Sequence, residues 1–291
     1  MEVFYLENMN LKVTINLKGA EVSRVLSKEK GIEYMHAADS TFWNRTAPVL
    51  FPIVGSLKDK TLKAEGKEYT MSQHGFARDM DFKFVKQNNK SILFRLESNS
   101  FTRELYPYKF TLEVSYLLEG YKLKCSWKVI NNDDKEMHFQ IGGHPAFNCP
   151  IDKKTKQGDY YIAFDTDKPL KYSLLKDGLI ASEDNELVTE DGMLRFDEHL
   201  FDKDALIFEN QGVKKVELCK PDKMPYISVS FDAPLFGLWS PTGKGAPFVC
   251  IEPWYGRADK ADFDGTIAER DFDNCLAPGE TFEADYTVEY L

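Results

Sequence analysis

Residues 110–147 read FTLEVSYLLEGYKLKCSWKVINNDDKEMHFQIGGHPAF, and this stretch decides the class of fold. Apolar and polar side chains alternate with a period of two over residues 110–116 and again over 123–129. Gly120 separates the two runs, which is typical of a β-hairpin. A polar turn, NNDD, follows, and the alternation then resumes. The stretch therefore predicts antiparallel strands that lead directly into a histidine, His144.

The same alternation recurs near both ends of the sequence, at 11–18 and 282–290. Strand-length segments rich in β-forming residues fill much of 201–256, whereas 150–200 is polar, rich in turns and without a clear period. No helical block, low-complexity run or proline-rich linker divides the chain. We therefore expect an all-β protein in which residues 1–291 form a single domain. In it, the polar region forms loops and short strands wrapped on the main body.

Composition excludes several classes of partner. The 291 residues include 37 basic and 47 acidic side chains, a net charge of −10, with no clustered basic stripe. Nucleic acid and anionic membranes are therefore poor partners, since both require a local density of lysine and arginine. There is no signal-peptide pattern and no apolar run of about 18 residues. We expect a cytoplasmic protein, away from membranes, whose five widely spaced cysteines are reduced.

His144 is the first candidate for chemistry. The glycine pair Gly142-Gly143 permits close approach of other groups, and Pro145 restricts the histidine to extended conformations. An imidazole held in this way at a strand end suits proton transfer near neutral pH. The alternative is a histidine that only satisfies a hydrogen bond at a strand terminus.

Two segments that each contain an arginine offer side chains for a polar pocket. Residues 74–79, HGFARD, combine the imidazole of His74, a permissive glycine, an aromatic ring and the guanidinium of Arg78. They form either a polar pocket with one stacking wall or a surface turn in which Arg78 pairs with a nearby aspartate. Arg45 lies in an apolar, proline-broken run at 42–55, which predicts an irregular connection rather than a central strand. Its guanidinium either stacks on aromatic surface or points into a polar site.

Glu252 ends a strongly apolar run, FVCI at 248–251, and is followed by Pro253 and two aromatic residues. Partial desolvation would raise its pKa toward the range of a general base. The alternative is a glutamate that has reached solvent at a strand end. Motifs for nucleotide binding, acyl transfer and zinc proteases are all missing from the sequence, and no third ligand joins His138 and His144 at a metal-site spacing. We expect no metal and no cofactor.

Taken in order, four motifs of this sequence resemble those of the aldose 1-epimerase, or galactose mutarotase-like, superfamily and more narrowly its LacX-type branch. The motifs are NRTAPVLFPIVG at 44–55, HGFAR at 74–78, GHPAF at 143–147 and IEPW at 251–254. The resemblance covers essentially the full chain. It implies a large antiparallel β-sandwich with an open sugar-binding cleft, no cofactor, and an isomerase that interconverts the α and β anomers of a hexose or hexose phosphate.

The resemblance also implies roles for individual residues. His144 matches the general acid that protonates the ring oxygen, and Glu252 matches the general base that deprotonates the anomeric hydroxyl. His74 matches a histidine that hydrogen-bonds the sugar. Asp204 matches, more loosely, an aspartate that binds sugar hydroxyls. The expected partner is a free sugar or sugar phosphate, and the protein is expected to be a monomer or homodimer.

The sequence departs from the galactose mutarotase pattern after Gly55, where GSLKDK contains no arginine. Arg78 or Arg45 is expected to fill that electrostatic role, and HGFAR is closer to the hexose-6-phosphate branch, in which arginine or lysine binds a phosphate.

Two other functions stay open. One is a non-catalytic carbohydrate-binding or sensing protein, and the other is a glycoside hydrolase or lyase, which requires a second carboxylate beside Glu252.

Overall fold

The computed structural model describes residues 2–152, 154–183 and 185–291. Within these residues, the named strands pair in the antiparallel sense throughout. Six residues form the one α-helix of the described chain, α1 (Ser100–Leu105), whose first turn is capped by the side chain of Asn99. None of the described helices has the length and apolar character needed to cross a membrane. The expected all-β class is confirmed.

The strands are numbered in chain order. They are β1 (Val3–Glu7), β2 (Leu11–Asn16), β3 (Val22–Ser27), β4 (Val49–Leu50), β5 (Thr61–Ala64), β6 (Lys67–Thr70), β7 (Lys83–Gln87), β8 (Ser91–Glu97), β9 (Phe110–Glu119), β10 (Lys122–Asn131), β11 (Met137–Phe139), β12 (Ile141–Gly143), β13 (Ala146–Asn148), β14 (Tyr161–Phe164), β15 (Leu170–Tyr172), β16 (Leu175–Lys176), β17 (Leu179–Ile180), β18 (Asn185–Leu187), β19 (Met193–Arg195), β20 (Leu206–Glu209), β21 (Lys215–Cys219), β22 (Pro225–Phe231), β23 (Leu235–Trp239), β24 (Phe248–Tyr255), β25 (Asn274–Leu276) and β26 (Thr281–Tyr290).

The largest sheet has nine strands in the order β19-β14-β21-β22-β26-β10-β9-β8-β7. The predicted hairpin forms its centre, because β9 and β10 pair along ten residues each from the turn at Gly120. The terminal strand β26 pairs with β10 on the other side. Each strand of the hairpin buries alternate side chains, as the period of two predicts.

A six-stranded sheet packs against this larger sheet. Its order is β20-β23-β24-β12-β4, and β13 also pairs with β24. Gly143 of β12 lies against Trp127 and Tyr286 of the nine-stranded sheet, where a Cβ would come within 3.2 Å and 3.0 Å of their rings. Phe236 of β23 packs in the same way against Phe231 of β22, with ring centroids 5.5 Å apart. The two sheets thus form the expected sandwich, with the main apolar core between them.

Two weakly patterned regions differ in outcome. The segment at 42–55 is an irregular connection, as predicted, and contributes only the two-residue strand β4. The region 150–200 does contain short strands, but it is not merely wrapped on the outside, because β14 and β19 extend one edge of the nine-stranded sheet. The reason is that Tyr161–Phe164 is a buried four-residue strand, too short to give a clear period in the sequence.

Candidate active site

The site begins with an interruption in one ladder of the six-stranded sheet. Strand β24 pairs with β12 near Trp254 and with β13 near Cys250, and the same register runs through both pairings. His144 lies in the gap between β12 and β13, so this register sets it directly opposite Glu252. Cross-strand partners share one face of a sheet, and their side chains therefore meet.

That face is the outer face of the six-stranded sheet. Val249 and Ile251 belong to the core between the sheets, so the alternate residues of β24, including Glu252 and Trp254, point the other way. The indole of Trp254 covers a glycine on each strand that flanks β24, Gly142 of β12 and Gly237 of β23. A Cβ on Gly142 would come within 2.6 Å of the indole, and a Cβ on Gly237 within 2.7 Å. The close approach expected at Gly142 is therefore made by an aromatic ring, which forms one wall of the site.

His144 and Glu252 form a buried pair. His144 is 7% exposed and Glu252 is 1% exposed, and Nε2 of the imidazole lies 3.1 Å from Oε2 of the carboxylate. The two side chains are close but are not joined by a hydrogen bond, since Oε2 of Glu252 has no hydrogen-bond partner among the described residues. Within the described part of the chain, Nδ1 of His144 and Oε2 of Glu252 are buried and have no hydrogen-bond partner. Buried polar atoms of this kind are costly, which marks the pair as a place where a ligand can bind.

Burial shifts the two pKa values in opposite directions. It lowers the pKa of His144 to about 3, with the positive charges of Arg78 and Arg45 acting in the same sense. Burial also raises the pKa of Glu252 well above its usual value, and the nearby carboxylate of Asp204 adds to this effect. In the free site the pair therefore favours a neutral imidazole beside a protonated carboxyl group.

His74 lies beside this pair, with its ring centroid 5.5 Å from that of His144. The backbone N–H of Gly55 donates to its Nδ1 at 3.1 Å, so Nδ1 is an acceptor and the ring proton is on Nε2. Burial, together with the neighbouring His144 and Arg78, holds the pKa of His74 well below the usual value. His74 thus presents a neutral N–H donor to the site.

The two candidate arginines have different surroundings. Arg78 lines the pocket, and its Nη2 donates to the backbone oxygen of Gln73 at 2.6 Å. Its Nε is buried and lacks a partner among the residues that the structure describes. Arg45 is outside the pocket lining and pairs with Asp79 at 2.8 Å, so Asp79 is taken by Arg45 rather than by Arg78.

The pocket brings together five of the six predicted side chains. Its volume is about 200 Å³, and its lining includes His74, Arg78, His144, Asp204 and Glu252. Asp204 is half-buried and its Oδ1 accepts from the N–H of Ala205 at 2.9 Å. A larger cavity of about 930 Å³ shares Leu175 with this pocket, but its described lining contains neither histidine nor an aromatic ring. The smaller pocket is therefore the candidate site.

Comparison with known proteins agrees with the fold. The aldose 1-epimerase family model matches residues 2–289. This chain belongs to the aldose 1-epimerase family. The plasmid-encoded protein LacX of Lactococcus lactis subsp. lactis is 30% identical over 296 residues, and the alignment covers 98% of each chain. Within the family, the chain lies in the LacX branch.

Two solved structures are similar over the whole of this aldose 1-epimerase family member. A galactose mutarotase related enzyme from Lactobacillus acidophilus has a TM-score of 0.95 and 37% identity, covering 100% of this chain and 97% of that one. A galactose mutarotase-like protein from Lactobacillus casei has a TM-score of 0.91 and 30% identity, with 100% of both chains covered. Mutarotase-type chemistry by an isomerase is thus the activity that the family supports.

Two tryptophans that sequence reasoning did not identify hold the imidazole. The ring of His144 stacks on Trp43, with centroids 4.6 Å apart, and meets Trp239 edge-on at 5.5 Å. In the sequence, Trp43 belongs to the run at 42–55 that also contains Arg45. The segment that carries it is fixed by the buried Glu21, whose Oε1 accepts from the backbone N–H groups of residues 46 and 47 at 2.7 Å and 2.8 Å. An aromatic residue in a proline-broken run was the one signal available.

Proposed function

We propose that this aldose 1-epimerase family member interconverts the α and β anomers of a hexose or hexose phosphate. The observation that carries the proposal is the buried pair of His144 and Glu252, which lie directly opposite each other in a small pocket. Each has a polar atom without a hydrogen-bond partner among the described residues. Ring opening requires one group that accepts a proton while another donates one, and an imidazole with a carboxylate meets that need.

In the proposed reaction, Glu252 removes the proton from the anomeric hydroxyl and His144 donates a proton to the ring oxygen. The bond between C1 and the ring oxygen breaks, and the open-chain aldehyde forms. Rotation about the C1–C2 bond presents the other face of the carbonyl, and reclosure returns both protons. His74 supports this sequence as a neutral donor to the oxygen that is released.

The protonation of the free site fits one point in this cycle. After ring opening, Glu252 carries a proton and His144 is neutral, which is the arrangement that burial favours. Sugar hydroxyls would supply hydrogen bonds to the unpartnered atoms and so favour the charged arrangement that begins the reaction. With a sugar bound, the neutral arrangement (protonated Glu252 and neutral His144) and the charged arrangement (ionised Glu252 and protonated His144) would therefore be close in free energy.

The pocket also suggests the class of substrate. Its volume of about 200 Å³ suits a single sugar ring, and Trp43, Trp239 and Trp254 supply apolar surface for the face of that ring. Asp204 offers carboxylate oxygens to sugar hydroxyls. Arg78 offers a guanidinium to an oxyanion or a phosphate and is our candidate for the arginine that is missing after Gly55.

The test is NMR exchange between α and β anomers of glucose, galactose and glucose 6-phosphate. Wild-type protein is compared with Glu252→Gln and with a matched surface variant, Glu283→Gln. Acceleration that is lost in Glu252→Gln and kept in Glu283→Gln would support the proposal, and the sugar that responds would identify the substrate. No acceleration of any sugar by folded wild-type protein would contradict it.

The same experiment separates the alternative of a carbohydrate-binding or sensing protein. The neutral arrangement of the free pair, and the lack of an arginine after Gly55, favour this alternative. It predicts saturable line broadening by a sugar with no change in the rate of anomer exchange. Release of new reducing ends from a glycoside would instead indicate a hydrolase that uses Glu252 with Asp204.

A further inference from the structure

A second group of chemically active side chains lies outside the catalytic pocket, on the small sheet formed by β11 and β25. His138 of β11 is the direct cross-strand partner of Cys275 of β25. Glu136 lies two residues before His138, a spacing that directs both side chains to the same face of an extended segment. One ligand atom from each of these three residues lies within 4.8 Å of the other two. The group therefore combines an imidazole, a thiol and a carboxylate at one point.

The spacing suits a tetrahedral metal ion. Nε2 of His138 lies 3.8 Å from Sγ of Cys275. Bonds of about 2.1 Å from Zn²⁺ to nitrogen and about 2.3 Å to sulfur, at a tetrahedral angle, place the two ligand atoms about 3.6 Å apart. Glu136 is exposed, so its carboxylate is able to adjust to a third position.

The imidazole is also oriented for this purpose. Its Nδ1 lies 2.6 Å from Oδ2 of Asp273, whose side chain is 9% exposed. With Nδ1 engaged in this contact, Nε2 is the ring nitrogen that faces Cys275. Oδ1 of Asp273 is buried without a hydrogen-bond partner in the described chain. The hydroxyl of Tyr106 donates to the backbone oxygen of His138 at 2.6 Å and fixes the strand. A carboxylate behind a histidine is the usual support for a metal-bound imidazole.

We propose that Glu136, His138 and Cys275 bind Zn²⁺ or a similar divalent transition metal, with water as the fourth ligand. An imidazole, a thiolate and a carboxylate together select such ions over Mg²⁺ and Ca²⁺, which prefer oxygen ligands. Binding requires the Cys275 thiol to lose its proton to solvent, so affinity rises with pH. The bound ion links β11, which leads toward His144, to β25, without entering the catalytic pocket.

A Co²⁺ titration followed by absorption spectroscopy tests the assignment, because a cobalt–thiolate bond gives a charge-transfer band and tetrahedral coordination gives intense visible bands. Of the five cysteines, all within the described residues, Cys275 alone is exposed. His144, Cys250 and Glu252 form a second, fully buried group of ligands, which makes Cys250→Ser the matched control. We expect both bands in wild type and Cys250→Ser, displacement by Zn²⁺, and loss of the thiolate band in Cys275→Ser.

Asp273→Asn tests the supporting role of the carboxylate. We expect a loss of about 10- to 100-fold in Co²⁺ affinity with the thiolate band retained, since every direct ligand is still present. Zn²⁺ should also raise the Tm of wild type but not of Cys275→Ser. Bands that persist in Cys275→Ser and vanish in Cys250→Ser would place the metal in the catalytic pocket and overturn the assignment. A large excess of Co²⁺ that gives no band with reduced wild-type protein would overturn it as well.

Discussion

Two buried pairs of an acidic and a basic side chain, Asp259 with Arg270 and Glu252 with His144, have different surroundings. Nε of Arg270 donates to Asp259 at 2.6 Å, and the other two nitrogens of this guanidinium donate to Gln140 and to a backbone oxygen at 2.7 Å and 2.8 Å. Asp259 also accepts from a backbone N–H at 3.0 Å. In the pair of His144 and Glu252, by contrast, Nδ1 of the imidazole and Oε2 of the carboxylate have no hydrogen-bond partner within the described residues.

The difference distinguishes a buried pair that stabilises the fold from a buried pair that can take part in chemistry. A buried ion pair whose hydrogen-bonding groups are satisfied holds the backbone around it, here the loop that carries Gly55 beside His74. A buried pair with unpartnered atoms gains little stability from its position and is available to a ligand. Four experiments test this division, from the largest expected effect to the smallest.

The largest effect is expected on catalysis. Glu252→Gln removes the base but keeps the shape of the side chain, so the rate of anomer exchange should fall by about 10²- to 10⁴-fold. The free energy of unfolding should stay the same or rise, because a buried carboxyl group without partners is removed. Anomer exchange by NMR and urea denaturation measure the two quantities. An unchanged rate would end the assignment of Glu252 as the base.

For the pair of Asp259 and Arg270, the main effect is expected on the free energy of unfolding rather than on catalysis. Asp259→Ala leaves the charge of Arg270 buried and should lower the free energy of unfolding by about 3–5 kcal/mol. The control is Glu283→Ala, which removes an exposed pair with Lys128 and should cost less than about 1 kcal/mol. Urea denaturation compares them. Equal costs for the two variants would show that the buried pair does not hold the loop.

A smaller effect is expected from the ring that holds the imidazole. Trp43→Leu removes the stacked surface under His144 and should lower kcat by about two- to tenfold, whereas Trp43→Phe should keep most of the activity. Steady-state anomer exchange measures both variants. A leucine variant as active as the phenylalanine variant would show that stacking does not position the imidazole.

The smallest effect is a pH dependence of stability. The raised pKa of Glu252 means that its contribution to stability is present below the ordinary value of 4.5 and is lost as the pH rises toward the folded-state pKa. The pKa of His144, about 3 against an ordinary 6.5, acts in the other direction, with stability lost as the pH falls through that range. The Tm of Glu252→Gln minus that of wild type should therefore grow as the pH rises above 4.5.

Thermal denaturation across this pH range provides the measurement, with Glu283→Gln as the exposed control. The control should give a difference in Tm that hardly changes with pH, because its side chain is largely in solvent. A pH-independent difference for Glu252→Gln would mean that burial does not perturb this carboxyl group.

The sequence alone determined the class of fold and the kinds of side chain in the site. Alternation with a period of two records which face of a strand is buried, so the β9–β10 hairpin and β26 could be predicted from neighbouring residues. An apolar run that ends in Glu252, and a histidine between glycine and proline, likewise marked unusual positions. These signals are local, and the sequence carries them directly.

Only the tertiary structure decided which of these groups meet. The register of β24 across the gap between β12 and β13 sets His144 opposite Glu252, and no local pattern encodes a register between strands about one hundred residues apart. The same limit applies to Arg45 and Arg78. Both are arginines near aromatic residues in the sequence, but in the structure Arg45 pairs with Asp79 whereas Arg78 lines the pocket.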